Sequence, residues 1–284
     1  MYFYIHDKFV NDKKNAKKLG QMNVKLNELG IFSDKTEVNT ITTIESAVEN
    51  VLASQRYKHI IAVGGDETAH RVFNTFLKSR MYNPRLIFGI IPFCPSRIAE
   101  SLGIPNDVEK ACLTISRRKL ETVDVGFTSD GTYFLNSLDI TRRRLLNNGK
   151  TFTKLKNIFS RNKKEPEVTI SIRNYKIITS EEKISIINAL DNEWKKMLAK
   201  QQDFKSQNIN PQDGTLNLVI GDSTDKKEGE AFTKVSLFPA RTLAIDSPDK
   251  ITIIADHTRK INAPLKVTVK LKLMNVIVGK ERGF

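Results

Sequence analysis

The stretch Ile60–Phe76, IIAVGGDETAHRVFNTF, decides how this chain is read. An apolar run from Ile60 to Val63 ends in Gly64-Gly65-Asp66, and Val72, Phe73, Phe76 and Leu77 then recur at helical spacing. The pattern is a strand, a glycine turn and a helix. Backbone N–H groups in such a turn, together with the positive end of the helix, favour phosphate oxygens. The same glycines also suit a tight turn with Asp66 as helix cap. Glu67 sits oddly with phosphate, because it brings a side chain and a negative charge into the turn.

Outward from this stretch, the first ~125 residues alternate strand and helix signals, the pattern of a parallel sheet with covering helices. MYFYIH, His59–Val63, LIFGIIP and ETVDVG read as strands. Leu19, Met22, Leu26 and Leu29 form one helical stripe, stopped by Gly30, and Ile44, Ala47, Val48, Val51 and Leu52 form another. Val108, Ala111, Cys112 and Ile115 predict a further helix. From Phe127 onward the period falls towards two: EVTISIRNY, TLNLVIGD, TKVSLFPA, KITIIAD and LKVTVKLKLMNVIVG alternate as half-buried antiparallel strands do. One helix is predicted among them, SEEKISIINALDNEWKKMLAK, capped by Ser180. The expected architecture is a Rossmann-like three-layer α/β domain over residues 1–126, then an antiparallel β-sandwich-like domain over 127–284. Its last strands are expected to return towards the first domain.

Composition narrows the function classes. No stretch approaches the ~20 apolar residues of a membrane span, and the opening is too briefly apolar for a secretory signal. Cys94 and Cys112 give no disulfide framework, which suits a reducing cytosol, and the four histidines make no close pair, which argues against a zinc enzyme. The expected location is cytoplasmic. The net charge of +14 predicts attraction to polyanions. From Thr141 to Lys164 there are nine Lys or Arg residues and no acid, interrupted by Leu145, Leu146, Phe152, Leu155, Ile158 and Phe159. A solvated surface segment packed on its own domain explains residues 141–164; peripheral contact with an anionic membrane is the alternative. Nucleic acid is not expected, since no aromatic-basic motif is present.

Four ordered segments carry a resemblance. VGGDETAHRVFN resembles the GGDGT-x-N-E-V-x-N motif of the diacylglycerol kinase and lipid kinase family, which includes sphingosine kinases and is related to NAD kinases. FGIIPFCPSRIAESLGIP resembles that family's LGIIPLGTGNDFARSLGIP, and VDVGFTSDGTYFLNSLDI its D-x-G…F-x-N stretch. INPQDGTLNLVI resembles its DGLLDVVI strand, and residues 248–279 are similar to its closing hairpin. The resemblance spans nearly the whole chain. It implies ATP phosphates on Gly64, Gly65, Asp66, Glu67 and Thr68, with Ser96 in the second motif, in a cleft between the two domains. It also implies Mg²⁺ and in-line attack by a hydroxyl of a lipid or small polyol acceptor. Homodimers occur in the family.

The chain departs from the family where the chemistry lies. Glu67 replaces a glycine, and like charges a few Å apart cost on the order of 1–4 kcal/mol at a partly solvated site. His70 and Arg71 stand where the family has Asn and Glu; Arg71 either offsets Glu67 or makes an ordinary surface pair. Pro92-Phe93-Cys94-Pro95-Ser96-Arg97 lacks the glycine, the threonine and the Asn-Asp pair of the second motif. The family's Asn-Pro-x-x-Gly turn is absent from IHDKFVNDKKNAK. The family's closing DGE, whose Glu is the expected general base, reads Asp256-His257-Thr258; Thr258 takes no proton at neutral pH, which leaves Asp256 or His257 as candidates with Asp66. Asn210, Asp213 and Thr215 match a metal-holding loop of bacterial relatives, although NPQDG is equally a β-turn. Two readings therefore stand: an ATP-dependent kinase of a lipid or related hydroxyl, or a kinase fold serving as a binding or regulatory module for nucleotide, anionic lipid or a protein partner.

Overall fold

The computed structural model describes residues 1–142, 167–179, 183–199, 209–222, 234–248, 251–282 and 284. Four parallel strands open the fold: β1 (Tyr2–His6), β2 (Asp34–Glu37), β3 (His59–Gly64) and β4 (Ile87–Pro92), in the order β2-β1-β3-β4. β1 and β3 are buried along their whole lengths, so both read as continuous apolar runs. Right-handed crossovers put helix α1 (Ala16–Glu28) on one face and α2 (Ile44–Ser54) and α3 (Asp66–Lys78) on the other. Two short helices, α4 (Arg97–Ser101) and α5 (Val108–Arg117), follow β4, and α5 packs on α1. Thr43 and Ser46 form a capping box at the start of α2, which fixes where that helix begins.

Strand order reverses between β1 and β3. In open α/β sheets the crevice beyond such a switch point is where ligands bind. The Gly64-Gly65 turn leaves β3 at this crevice, and Asp7 leaves β1 beside it.

β5 (Leu120–Thr128) and β6 (Tyr133–Phe134) lead into an antiparallel region: β7 (Ser137–Arg142), β8 (Val168–Ile172), β9 (Tyr175–Thr179), β10 (Lys183–Ile187), β11 (Leu216–Asp222), β12 (Lys234–Ala240), β13 (Thr242–Asp246), β14 (Ile251–Ala255), β15 (Arg259–Asn262) and β16 (Leu265–Ile277). One sheet runs β12-β11-β10-β7-β14-β15. The strands β16, β13, β8 and β9 extend the first sheet instead: β16 pairs with β4 in parallel and with β5 and β13 antiparallel. Inward residues of the two sheets, among them Leu138, Ile170, Ile186, Leu218, Ile253 and Val267, form a buried sandwich core. The fold is thus an α/β region followed by an antiparallel β region.

The helix expected from residue 180 to 200 is corrected. Ser180 lies outside the described residues, Lys183–Ile187 is the strand β10, and only Asn192–Ala199 is helical (α6). β10 lies between β7 and β11, where its isoleucines find sheet partners on both sides. Asp191 then starts α6 by accepting from the Trp194 amide at 2.8 Å. The basic segment 141–164 lies outside the described residues from position 143 onward.

Candidate functional site between the α/β and β regions

Gly64 and Gly65 are needed for close approach. A Cβ on Gly64 would lie 2.3 Å from Thr68 Oγ1 and 3.1 Å from the Asp7 Cβ, and one on Gly65 would lie 2.7 Å from Cys94 Sγ. Gly65 itself has an ordinary extended φ of −118°. The turn folds in on its own chain. Thr68 Oγ1 accepts from the Gly65 amide at 3.4 Å and donates to Asp7 Oδ2 at 2.5 Å, bridging the crevice at the switch point.

Asp66 is also committed. Its carboxylate accepts from Ser96 Oγ at 2.5 Å and from the amides of Arg97 at 3.0 Å and Ile98 at 3.1 Å, so it caps α4. Burial raises its pKa above the usual carboxylate value, with a further push from Asp256, against the lowering effect of these hydrogen bonds. Ser96 in turn accepts from the Ala99 amide at 3.0 Å. Three of the roughly four acceptor positions of an ionised carboxylate are thereby used. The structure therefore brings Gly64, Gly65, Asp66, Thr68 and Ser96 together, with Glu67 exposed at the start of α3. Asp66 keeps one acceptor position, and Asp7 and Glu67 add two further carboxylates beside the turn.

A cleft of about 830 Å³ runs along α3 towards the β14–β15 hairpin, lined among others by Glu67, His70, Arg71, Lys78, Thr258 and Arg259. Glu67 lies at the first turn of α3 and Lys78 at its last residue, about 16 Å further along the helix at 1.5 Å per residue. Arg259 lies close enough to act on Lys78, and Glu49, which accepts from Ser79 Oγ at 3.0 Å, puts a carboxylate at that same end. Arg71 makes a bidentate pair with Glu45, at 2.9 and 2.8 Å, and so takes the surface-pair reading. Burial holds the Lys78 pKa below its ordinary value, as does Arg259, against the opposite pull of Asp130.

Asp256 and His257 flank the cleft beside Thr258 and are not among the residues that line it. Asp256 is fully buried; it accepts from the amides of Leu135 (3.1 Å), Asn136 (2.7 Å) and Ser137 (3.3 Å) and meets His70 Nδ1 at 2.9 Å. Asn74, one turn beyond His70, clamps Tyr133 through both backbone groups at 2.9 Å. His257 lies 3.0 Å from Asp139 and 3.7 Å from Asp191. Burial lowers its pKa, but the bonds to those two carboxylates outweigh it and raise the value to about 9. The imidazole is thus a cation at neutral pH. Arg97 joins the same cluster through Asp191 at 3.5 Å and through Glu193. Sequence reasoning missed Asp7, Asp139 and Asp191; no motif marks them.

Asn210, Asp213 and Thr215 sit apart from the turn, before β11 and beside β5. Asn210 Oδ1 accepts from the Gln212 amide at 3.0 Å, and Asp213 Oδ1 accepts from the amide and hydroxyl of Thr215 at 2.8 and 2.7 Å. Gly214, at φ 75°, donates to Asp124 at 2.8 Å. This is the β-turn reading, held by its own hydrogen bonds. Among the described residues no group of three or more His, Cys, Asp or Glu side chains is placed to hold a metal, and no helix is long and apolar enough to cross a membrane.

Residues 4–128 match the diacylglycerol kinase catalytic domain. Three solved structures from Bacillus anthracis strain Sterne share the fold over 98% of this chain and 97% of their own. Two, described as candidate diacylglycerol kinases, are 18% identical with TM-scores of 0.72 and 0.69. The third, described as a diacylglycerol kinase, is 17% identical with a TM-score of 0.68. No curated protein matches the sequence.

Proposed function

On the premise that residues 4–128 belong to the diacylglycerol kinase catalytic domain family, we propose that this chain uses the kinase fold to bind a phosphate-bearing ligand and does not transfer phosphate. That family generally works with ATP and Mg²⁺. One observation carries the proposal. In the stretch where the family supplies a base, Thr258 lines the cleft, Asp256 is buried with its oxygens engaged, and His257 is held as a cation. None of the three can accept a proton from a hydroxyl at neutral pH. Binding is supported by Lys78, Arg259 and Lys260, three cations that line the cleft, with the Glu49 carboxylate held at Ser79, next to Lys78 in the chain. A triphosphate or diphosphate would pair with them there.

The other reading is ATP-dependent phosphorylation of a lipid or related hydroxyl, and family membership is what favours it. One pair of measurements separates the two. Calorimetric titration with ATP and ADP, with and without Mg²⁺, should show saturable binding that Lys78→Ala and Lys260→Ala together weaken about tenfold. Transfer from γ-labelled ATP to diacylglycerol in mixed micelles should stay at background. Labelled lipid whose formation is lost in Asp66→Asn would overturn the proposal in favour of the kinase. No heat at millimolar nucleotide would overturn the binding half of it.

A further inference from the structure

The β-sandwich has a second concave site, on the edge opposite the β14–β15 hairpin. β12 ends one sheet and β9 ends the other, and these two edges lie over one another. Between them is a cavity of about 930 Å³, walled by the β8–β9 hairpin and by residues 238–241. Its floor is apolar and continuous with the sandwich core, because Ile172 and Ala240 are core residues and Ile177 packs against them. Its mouth carries large apolar side chains in water: Tyr175 is 74% exposed and Phe238 37% exposed. Isolated exposed apolar residues need no explanation, but Tyr175 and Phe238 line one cavity together with Ile172 and Ile177, and a contiguous apolar surface of this kind points to a ligand or partner.

Among the described residues the rim has one sign of charge. Arg173 and Lys176 come from the hairpin and Arg241 from the β12–β13 connection. A contiguous cavity of about 410 Å³ shares Arg173 and Arg241 and adds Lys266. No carboxylate among the described residues pairs with any of these four cations. Guanidinium groups suit carboxylate or phosphate recognition, and 300–1,000 Å³ is roughly the size range of small-molecule sites.

We propose that this cavity binds one monomeric long-chain anionic amphiphile, a fatty-acid-like carboxylate. Its chain lies against Ile172, Ile177, Tyr175 and Phe238, and its head is on Arg173 and Arg241. The site lies across the sandwich from Thr258, so its ligand is not an acceptor presented to the α3 cleft, and the proposal stands independently of what that cleft binds.

Calorimetry with sodium dodecanoate below its micelle concentration tests this on the full chain. One-to-one binding is expected. Dodecyltrimethylammonium, with the same chain and the opposite head charge, should bind at least tenfold more weakly, and acetate should give no heat. Arg173→Asn with Arg241→Gln should weaken dodecanoate about tenfold; asparagine is chosen because Arg173 has a left-handed φ of 52°. Tyr175→Ser with Phe238→Ser, both at exposed positions, should weaken it similarly without loss of the fold. Equal affinity for the two head charges would overturn the proposal. So would binding seen only with phosphatidylcholine vesicles containing phosphatidylglycerol and not with the monomer, which would instead make this edge a membrane contact.

Discussion

His70 on α3 and Asp256 at the end of β14 meet at 2.9 Å, although 186 positions separate them in the chain. The contact ties the α/β region to the β region at the back of the cleft. Asp256 also holds the amides of Leu135, Asn136 and Ser137, so removing it strands several buried donors at once. Asp256→Ala should destabilise the protein by about 3–5 kcal/mol. Urea unfolding monitored by circular dichroism reads this directly, and a midpoint within error of the parent would contradict the latch.

The His257 cluster predicts a pH dependence. His257 is raised from 6.5 to about 9, so its contribution to stability is complete below pH 6.5 and disappears as the pH rises through 9. Burial raises the pKa values of Asp139 and Asp191, but their bonds, to His257 above all, overcome this and leave both lowered; their contribution is lost as the pH falls through the carboxylate range. Stability should therefore decline between pH 6.5 and 9 by up to about 3 kcal/mol. His257→Asn, which tolerates the left-handed φ of 60°, should be flat across that window. A parent curve as flat as the variant's would refute the assignment.

The two turn glycines should behave differently. Gly64→Ala places a Cβ against Thr68 and the Asp7 Cβ and should cost about 2 kcal/mol, whatever residue stands at 94. Gly65→Ala meets only Cys94 Sγ, so Cys94→Ala should rescue it. Thermal melts of the four variants decide the matter; rescue of both glycines, or of neither, would show that the close contacts do not set the cost.

Glu67→Gly should change nucleotide binding by less than about twofold, because Glu67 is exposed and lies beyond a Debye length from Lys78 along α3. The same titration on parent and variant measures it. A gain of about tenfold would mean that the ligand's phosphates lie at the start of α3 and not at Lys78.

The parts of the fold legible in the sequence were those set by local pattern. Continuous apolar runs marked β1, β3 and β4, and alternation marked β8, β11 and β14. β10 was misread because KISIINAL satisfies a helical and an alternating template alike, and only its two neighbouring strands decide between them. At the site, Gly64, Gly65 and Asp66 were visible as a turn. What Asp66 binds was not, since Ser96, Arg97 and Ile98 come 30–32 residues later. Asp139 and Asp191 carried no signal at all: a lone acid inside a strand or before a helix becomes part of an ion cluster only when the β14–β15 turn brings His257 between them.

β16 gives the molecule a shared spine. Over 13 residues it is hydrogen-bonded to β4 and β5 of the first region and to β13 of the second, so a chain cut after residue 128 would leave β4 with a bare edge. Rotation of one region on the other cannot pass through a loose linker; it must twist this strand. The place to absorb that twist is the break in register between Lys270 and Met274, where Lys272 adopts φ 44° and donates to Asp124 at 2.7 Å. Asp124 also holds Gly214, so opening or closing the cleft would be felt mechanically at the turn before β11, on the far side of the strand.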